Sequence, residues 1–367
     1  MINIIKAPED IYPAYNDSYL QFTSDLADNY KAEMIVYPVE TFTRTFIAYA
    51  DADGVYTFNL KEIIKSLFND NDFSDQNVFS DAFYKTISGI YKELSISFEV
   101  FSTTDSETDD EVYTFYRAIK QIGESNFSNY YQLLSYSSNG VDYKLPYWVG
   151  FPFSFDLQRV QDTDIIKINN LNTSFTSDEM TPTDTDSFRI IVDKGNGENW
   201  TDSNIMPLTN TENNLEVLVN DVAKTNILIE KNDDCEGIYL KWANRNGGYN
   251  YWLFDKYYLE SIKSSEYGTI TNNTFENVPT ASNTYKSTGK VMTKTMTIKT
   301  RYKEEYYDML KDLFSSPCVQ MYSSQVANVE GSFIDVIVEG SFTYANKKRL
   351  NSLTLSIDMP EVLTLKL

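Results

Sequence analysis

The stretch from Gly237 to Asp255, reading GIYLKWANRNGGYNYWLFD, constrains the fold more than any other in the chain. Trp242 and Trp252 frame Asn246-Gly247-Gly248, and Tyr239, Tyr249, Tyr251 and Phe254 fill the flanks. Glycines beside an asparagine supply the positive φ angles of a tight reversal, and the aromatic flanks suit strands. The spacing predicts a β-hairpin in which Trp242 and Trp252 anchor a sheet, Asn246, Gly247 and Gly248 turn the chain, and Tyr249 opens the returning strand.

Short period-two runs recur on both sides. Tyr19–Phe22, Met34–Tyr37, Thr45–Tyr49, Leu94–Val100 and Val112–Tyr116 read as strands in the N-terminal part, with Tyr131–Tyr136 as a further addition to that sheet. Asp51-Ala52-Asp53-Gly54 is expected to be a hairpin turn and not a calcium loop, because it lacks the longer acid ladder and the distant glutamate. Asn59 is placed to cap a helix whose Leu60, Ile63, Ile64, Leu67 and Phe68 share one face. The stretch 78–92 is ambiguous, helical by length but broken by Gly89. Thr103–Glu111 reads as an acidic solvated loop.

The corner from Pro146 to Phe153 holds two prolines, which argue against a central strand. Beyond it, Phe153–Val160, Ile165–Ile168, Phe188–Val192, Leu215–Val219 and Ile227–Ile229 read as strands between the polar linkers Thr176–Ser187 and Lys194–Thr211. Lys194-Gly195-Asn196-Gly197 lacks the Walker spacing and is expected to be a turn. Asn283–Arg301 reads as one long strand, with Lys286, Lys290, Lys294 and Lys299 guarding an exposed or edge position. Helical spacing follows over 302–314 and stops at Ser315-Ser316-Pro317. Phe333–Tyr344, Leu353–Ile357 and Leu363–Leu367 complete a terminal sheet, with Asn346-Lys347-Lys348 as a turn.

The pattern is mainly β with a few helices, in two to three β-sandwich-like or α+β domains in series. A chain of 367 residues accommodates that number. The expected divisions are a β-rich domain with a packed helix over 1–145, a central β domain with long polar loops over 146–235, and a β-rich domain with one helix over 236–367. No fixed-period repeat or heptad run is present, which argues against a solenoid or a coiled-coil shaft.

Composition then removes functions. The chain has no histidine, so Ser-His-Asp and Cys-His nucleophile systems and His-ligated metal sites are excluded. Acidic residues number 53 against 31 basic ones, a net charge of −22, which disfavours direct nucleic-acid binding. No apolar run approaches the roughly 18 residues of a membrane span. The opening MINIIKAPEDIYPAY lacks a signal-peptide core, so synthesis in a cytoplasm is expected and no membrane partner. Cys235 and Cys318 read as small buried hydrophobes. No catalytic, cofactor-binding or metal-binding residue is assigned, and no cofactor is expected.

Around the hairpin, an apolar strand ending in a Trp, then Asn244-Arg245-Asn246-Gly247-Gly248-Tyr249, the pair Tyr251-Trp252 and Phe254 resembles a segment of virion structural proteins of tailed phages that infect Bacteroidetes-type bacteria. The run Leu310–Val319 and the closing Ile357-Asp358-Met359-Pro360-Glu361 are similar to the module that follows in those proteins, and Gly54–Asn59 carries the same flavour more weakly. The resemblance covers about the last third of the chain with moderate specificity. It implies a non-enzymatic subunit of a bacteriophage virion in the tail, baseplate or head-tail neck. Its partners would be copies of itself in an oligomeric ring or tube and other virion proteins. It carries over no catalytic residue. Two alternatives stay open at this point. One is a carbohydrate- or receptor-binding module stacking sugars on Trp148, Trp242, Tyr249 and Trp252. The other is a polysaccharide-degrading glycoside hydrolase with paired carboxylates.

Overall fold

The computed structural model describes residues 1–8, 11–37, 44–68, 84–87, 89–121, 131–137, 141–158, 160–183, 187–195, 208–209, 211–234, 236–271, 285–322, 333–342, 344–345 and 349–359. The chain is mainly β, with two short α-helices among the described residues and several sheets packed in sandwich-like fashion. Two compact units divide it. One comprises Met1–Asp233 with Ala243–Asn250, the other Asp234–Trp242 with Tyr251–Leu367. The segments expected as separate domains, 1–145 and 146–235, thus fall largely in one unit. Tyr84–Ile87 from the first pairs antiparallel with Ser187–Asp193 from the second.

In the first unit, a five-stranded sheet runs in the order Ile11–Pro13, Ser106–Tyr116, Tyr91–Ser102, Asn29–Tyr37, Arg44–Ala48. A three-stranded sheet, Ile2–Lys6, Tyr19–Ser24 and Tyr56–Asn59, shares its core. Alternation explains the register: Leu94, Ile96, Phe98 and Val100 are all buried while Glu93 and Ser95 on either side of Leu94 face out. Phe22 of the smaller sheet stacks on Phe98 of the larger at 4.8 Å between ring centroids. The helix Lys61–Phe68 closes this core with Ile63, Ile64 and Phe68. Its first turn is capped by Asn59, whose Oδ1 accepts the Lys61 N–H at 3.0 Å.

Three expectations for this region change. Asp51–Gly54 does turn the chain: Gly54 sits at φ +77°, and Asp51 Oδ1 accepts the N–H groups of Asp53 and Val55, both at 2.9 Å. The strands it joins do not pair with each other, however. Arg44–Ala48 pairs with Asn29–Tyr37, whereas Tyr56–Asn59 pairs with Tyr19–Ser24 in the other sheet. The acidic run is no loop beyond its first residues. Ser106–Tyr116 is a strand paired along its length with Tyr91–Ser102: Glu107, Asp109 and Glu111 stand opposite the buried Val100, Phe98 and Ile96 and are themselves half-buried, while Asp110 on the other face is exposed. Tyr131–Tyr136 forms no strand, only the isolated bridge of Leu133 with Leu157.

The rest of the first unit holds a five-stranded sheet ordered Asp142–Trp148, Val222–Asn232, Glu212–Val219, Ile166–Asn170, Phe175–Thr176, and a three-stranded sheet ordered Phe153–Leu157, Ser187–Asp193, Tyr84–Ile87. Pro146 lies inside Asp142–Trp148, and that strand is at the sheet edge, where a missing N–H is tolerated. Asn196 and Gly197 lie outside the described residues.

The second unit is built on one seven-stranded sheet, ordered Tyr249–Phe254, Ile238–Ala243, Val319–Tyr322, Phe333–Ser341, Asn351–Asp358, Tyr285–Tyr302, Leu259–Thr271. The long strand is present; Asn351–Asp358 covers one side of it only over Thr295–Tyr302, so among the described residues its Tyr285–Lys294 half has Leu259–Thr271 as its one strand neighbour. Two of its lysines also pair across to that neighbour: Lys294 meets Glu260 at 2.7 Å, and Lys290 meets Glu266. The helix is shorter than 302–314. Tyr302 ends the strand, Glu304–Tyr306 makes a 3₁₀ turn and Tyr307–Asp312 the α-helix. Leu363–Leu367, Asn346-Lys347-Lys348 and Cys235 lie outside the described residues, and Cys318 is buried.

Candidate functional site: the aromatic hairpin

Every residue singled out around the hairpin is internal. Trp242 is 0% exposed and Trp252 4%, and Tyr249, Asn246 and Trp148 are buried as well. In the second unit, the hairpin strands Ile238–Ala243 and Tyr249–Phe254 are neighbours in the seven-stranded sheet. Trp252 donates its Nε1–H to Thr300 Oγ1 at 3.0 Å and meets the Tyr306 ring edge-on at 5.3 Å. Tyr239 stacks on Tyr251 at 5.9 Å. Aromatic burial of this kind brings a large apolar area out of water, and the Trp252 bond removes most of the polar penalty.

The tip, Ala243–Asn250, belongs to the first unit. The turn is two residues longer than Asn246-Gly247-Gly248: Asn244 N–H donates to Gly248 O at 2.9 Å and Gly247 N–H to Asn244 O at 3.1 Å. Gly247 takes φ +94°, a conformation strained for any residue with a side chain, and a Cβ there would lie 2.8 Å from the Arg117 backbone oxygen. Gly248 is required for a different reason. A Cβ there would lie 2.2 Å from the backbone oxygen of Leu134.

Asn244 is the residue the turn is built around. Its Oδ1 accepts the Asn246 and Gly248 N–H groups at 2.9 and 3.2 Å, and its Nδ2 donates to Leu134 O at 2.9 Å and Asn250 Oδ1 at 3.0 Å. Asn246 Nδ2 donates to Ser135 O at 2.7 Å while its Oδ1 accepts from Lys120 Nζ at 3.0 Å. Nearby, Arg189 and Asp156 form a buried two-point ion pair, Nε to Oδ1 at 2.7 Å and Nη2 to Oδ2 at 2.9 Å. The Arg189 guanidinium also lies 5.4 Å from the Tyr249 ring centre. Sequence reading missed Asn244, Asp156 and Arg189. Asn244 stands in the same motif and was visible as an Asn two residues before the Asn-Gly pair. The ion pair joins positions 33 residues apart on neighbouring strands and leaves no local signal.

These groups are arranged to hold structure. Buried rings offer no face to a sugar, so stacking on Trp148, Trp242, Tyr249 and Trp252 is removed. Two of the buried carboxylates have structural partners: Asp156 holds Arg189, and Asp193 accepts Tyr147 Oη–H at 2.7 Å and the N–H groups of Gly150 and Gly195 at 3.0 and 2.7 Å. Burial raises the Asp193 carboxyl above the usual carboxylate range, against the lowering effect of those bonds. Among the described residues, no cluster of three or more His, Cys, Asp or Glu side chains suits a metal ion, and no helix is long and apolar enough to cross a membrane.

No family model matches the chain, and no curated protein matches it. Among solved structures, it is similar to the crystal structure of a tetra-tandem repeat in the extending region of a large adhesion protein, at 11% identity and a TM-score of 0.25. The match covers 96% of this chain and 64% of that one, and at so low a TM-score it carries no argument.

Proposed function

We propose that this chain is a non-enzymatic structural subunit of a tailed-phage virion that packs with copies of itself and with other virion proteins into a ring or tube of the tail, baseplate or neck. The observation that carries the reading is the burial of the hairpin through which the chain resembles such proteins. Trp242 and Trp252 are spent on the sheet, and Asn244, Asn246 and Gly248 on backbone contacts, so the motif acts as architecture and leaves no reactive group facing solvent. A sugar site on these rings would need them exposed.

Mass spectrometry and immunogold labelling of purified particles from the source that encodes the chain test this. The expected result is its presence at a multicopy stoichiometry and a label confined to one axial position. Absence from particles would overturn it.

A further inference from the structure

The tip of the hairpin places Asn246 directly before Gly247. An asparagine followed by glycine is open to attack by its own backbone, because glycine puts no side chain in the path. In that reaction the Gly247 nitrogen gives up its proton and bonds to Asn246 Cγ, the Cγ–Nδ2 bond breaks, and Nδ2 leaves as ammonia. Water then opens the five-membered succinimide at one carbonyl or the other. The product is aspartate or, with the backbone rerouted through the side chain, isoaspartate. Water is the one co-reactant, and nothing is oxidised or reduced.

The fold occupies both reacting groups. The Gly247 N–H donates to Asn244 O at 3.1 Å. On the side chain, Nδ2 donates to Ser135 O at 2.7 Å and Oδ1 accepts from Lys120 Nζ at 3.0 Å, so turning Cγ onto the Gly247 nitrogen breaks bonds to two distant segments of the chain. The Ile119 N–H donates to Arg245 O at 2.8 Å beside them, and Asn246 is 5% exposed, which keeps solvent from the carboxamide. The product does not fit the place that the asparagine leaves. Aspartate puts an acceptor where Nδ2 donates, against the Ser135 carbonyl in a buried site, and Lys120 on the other side supplies no donor there. Isoaspartate lengthens the backbone of a turn whose Gly248 has no room for even a methyl group against Leu134 O.

We infer that Asn246 is a conformationally guarded modification site: the closed tip keeps it an amide, opening of the tip exposes it to deamidation, and the modified chain cannot close the tip again. The test uses the full chain in mildly alkaline buffer, folded and in urea, with deamidation of each Asn-Gly pair followed by peptide mapping. Asn139-Gly140 and Asn196-Gly197, which lie outside the described residues, give the intrinsic rate of such pairs in the unfolded chain. In urea Asn246 is expected to react as they do. In the folded protein it is expected to react at least about 100-fold more slowly, because it must wait for local opening. That slowing should be no smaller than the hydrogen-exchange protection of the Gly247 N–H. Asn244→Ala, its fold checked by circular dichroism, removes the acceptor of the Asn246 and Gly248 N–H groups and is expected to raise the folded-state rate about 10-fold. Chains deamidated at Asn246 in urea and then refolded should lack the Gly247 protection that unmodified chains regain. Deamidation of the folded protein at the unfolded rate overturns the guard, as does a folded Asn244→Ala chain that reacts no faster than the wild type. Modified chains that regain full protection overturn the one-way step. Should Asn244→Ala not fold, the comparison of folded and unfolded wild type decides the guard by itself.

Discussion

Asn244 spends its whole side chain inside the protein, closing the turn through Asn246 and Gly248 and tying it to Leu134. Asn244→Ala leaves several buried donors and acceptors without partners, and a loss of about 3 kcal/mol in urea unfolding is expected. Gly248→Ala is predicted to cost a similar amount, about 3 kcal/mol, because its methyl group meets backbone at Leu134 and not a side chain that could swing away. For the ion pair, Arg189→Met alone strands the Asp156 charge in the interior and should cost about 3–5 kcal/mol, while Arg189→Met with Asp156→Leu should recover most of that. A double substitution no more stable than the single one would contradict this. Asp193 gives the pH dependence. Its folded-state carboxyl binds a proton more tightly than the unfolded one, so the folded state is favoured at low pH. That contribution is full below the unfolded value of about 4 and is lost as pH rises through the raised folded value. Asp193→Asn lacks the titration, so its stability relative to wild type should rise with pH through that window. A difference that stays flat across it would show that Asp193 does not titrate there.

At the scale of elements, local pattern told most where one face is buried and the other wet. Leu94, Ile96, Phe98 and Val100 announced their strand by alternation, and Asn59 its helix by capping chemistry. The acidic run misled because composition was read one segment at a time. Asp109 and Glu111 stand half-buried opposite Phe98 and Ile96, so the run is held as a strand by its pairing, and that partner is not visible within the run itself. The Asp51–Gly54 turn was legible as geometry but not as pairing, since a turn's φ angles do not say which sheet receives each flanking strand. The hairpin's aromatic flanks and glycines were legible too. Its bonds to Leu134 and Ser135 span more than 100 residues and were not. One substitution isolates the hairpin's hold on its sheet. Thr300→Val removes the Oγ1 that accepts the Trp252 Nε1–H, and a loss of about 1–2 kcal/mol is expected in thermal unfolding.

As a whole molecule, the chain turns its sequence-distinctive motif inward. That suits the proposed subunit, whose stability is internal and for which symmetric repetition completes what one copy leaves open. With 53 acidic residues, copies repel at low ionic strength unless opposite charge is placed at the contact, so assembly is expected to depend on salt in both directions: too little strengthens long-range repulsion, too much screens the contact itself. The most direct measurement of the central claim is cryo-electron microscopy of the concentrated full-length protein. The account predicts closed particles of a single cyclic symmetry, with each copy's hairpin buried in its own fold. A population that stays monomeric at high concentration would contradict it.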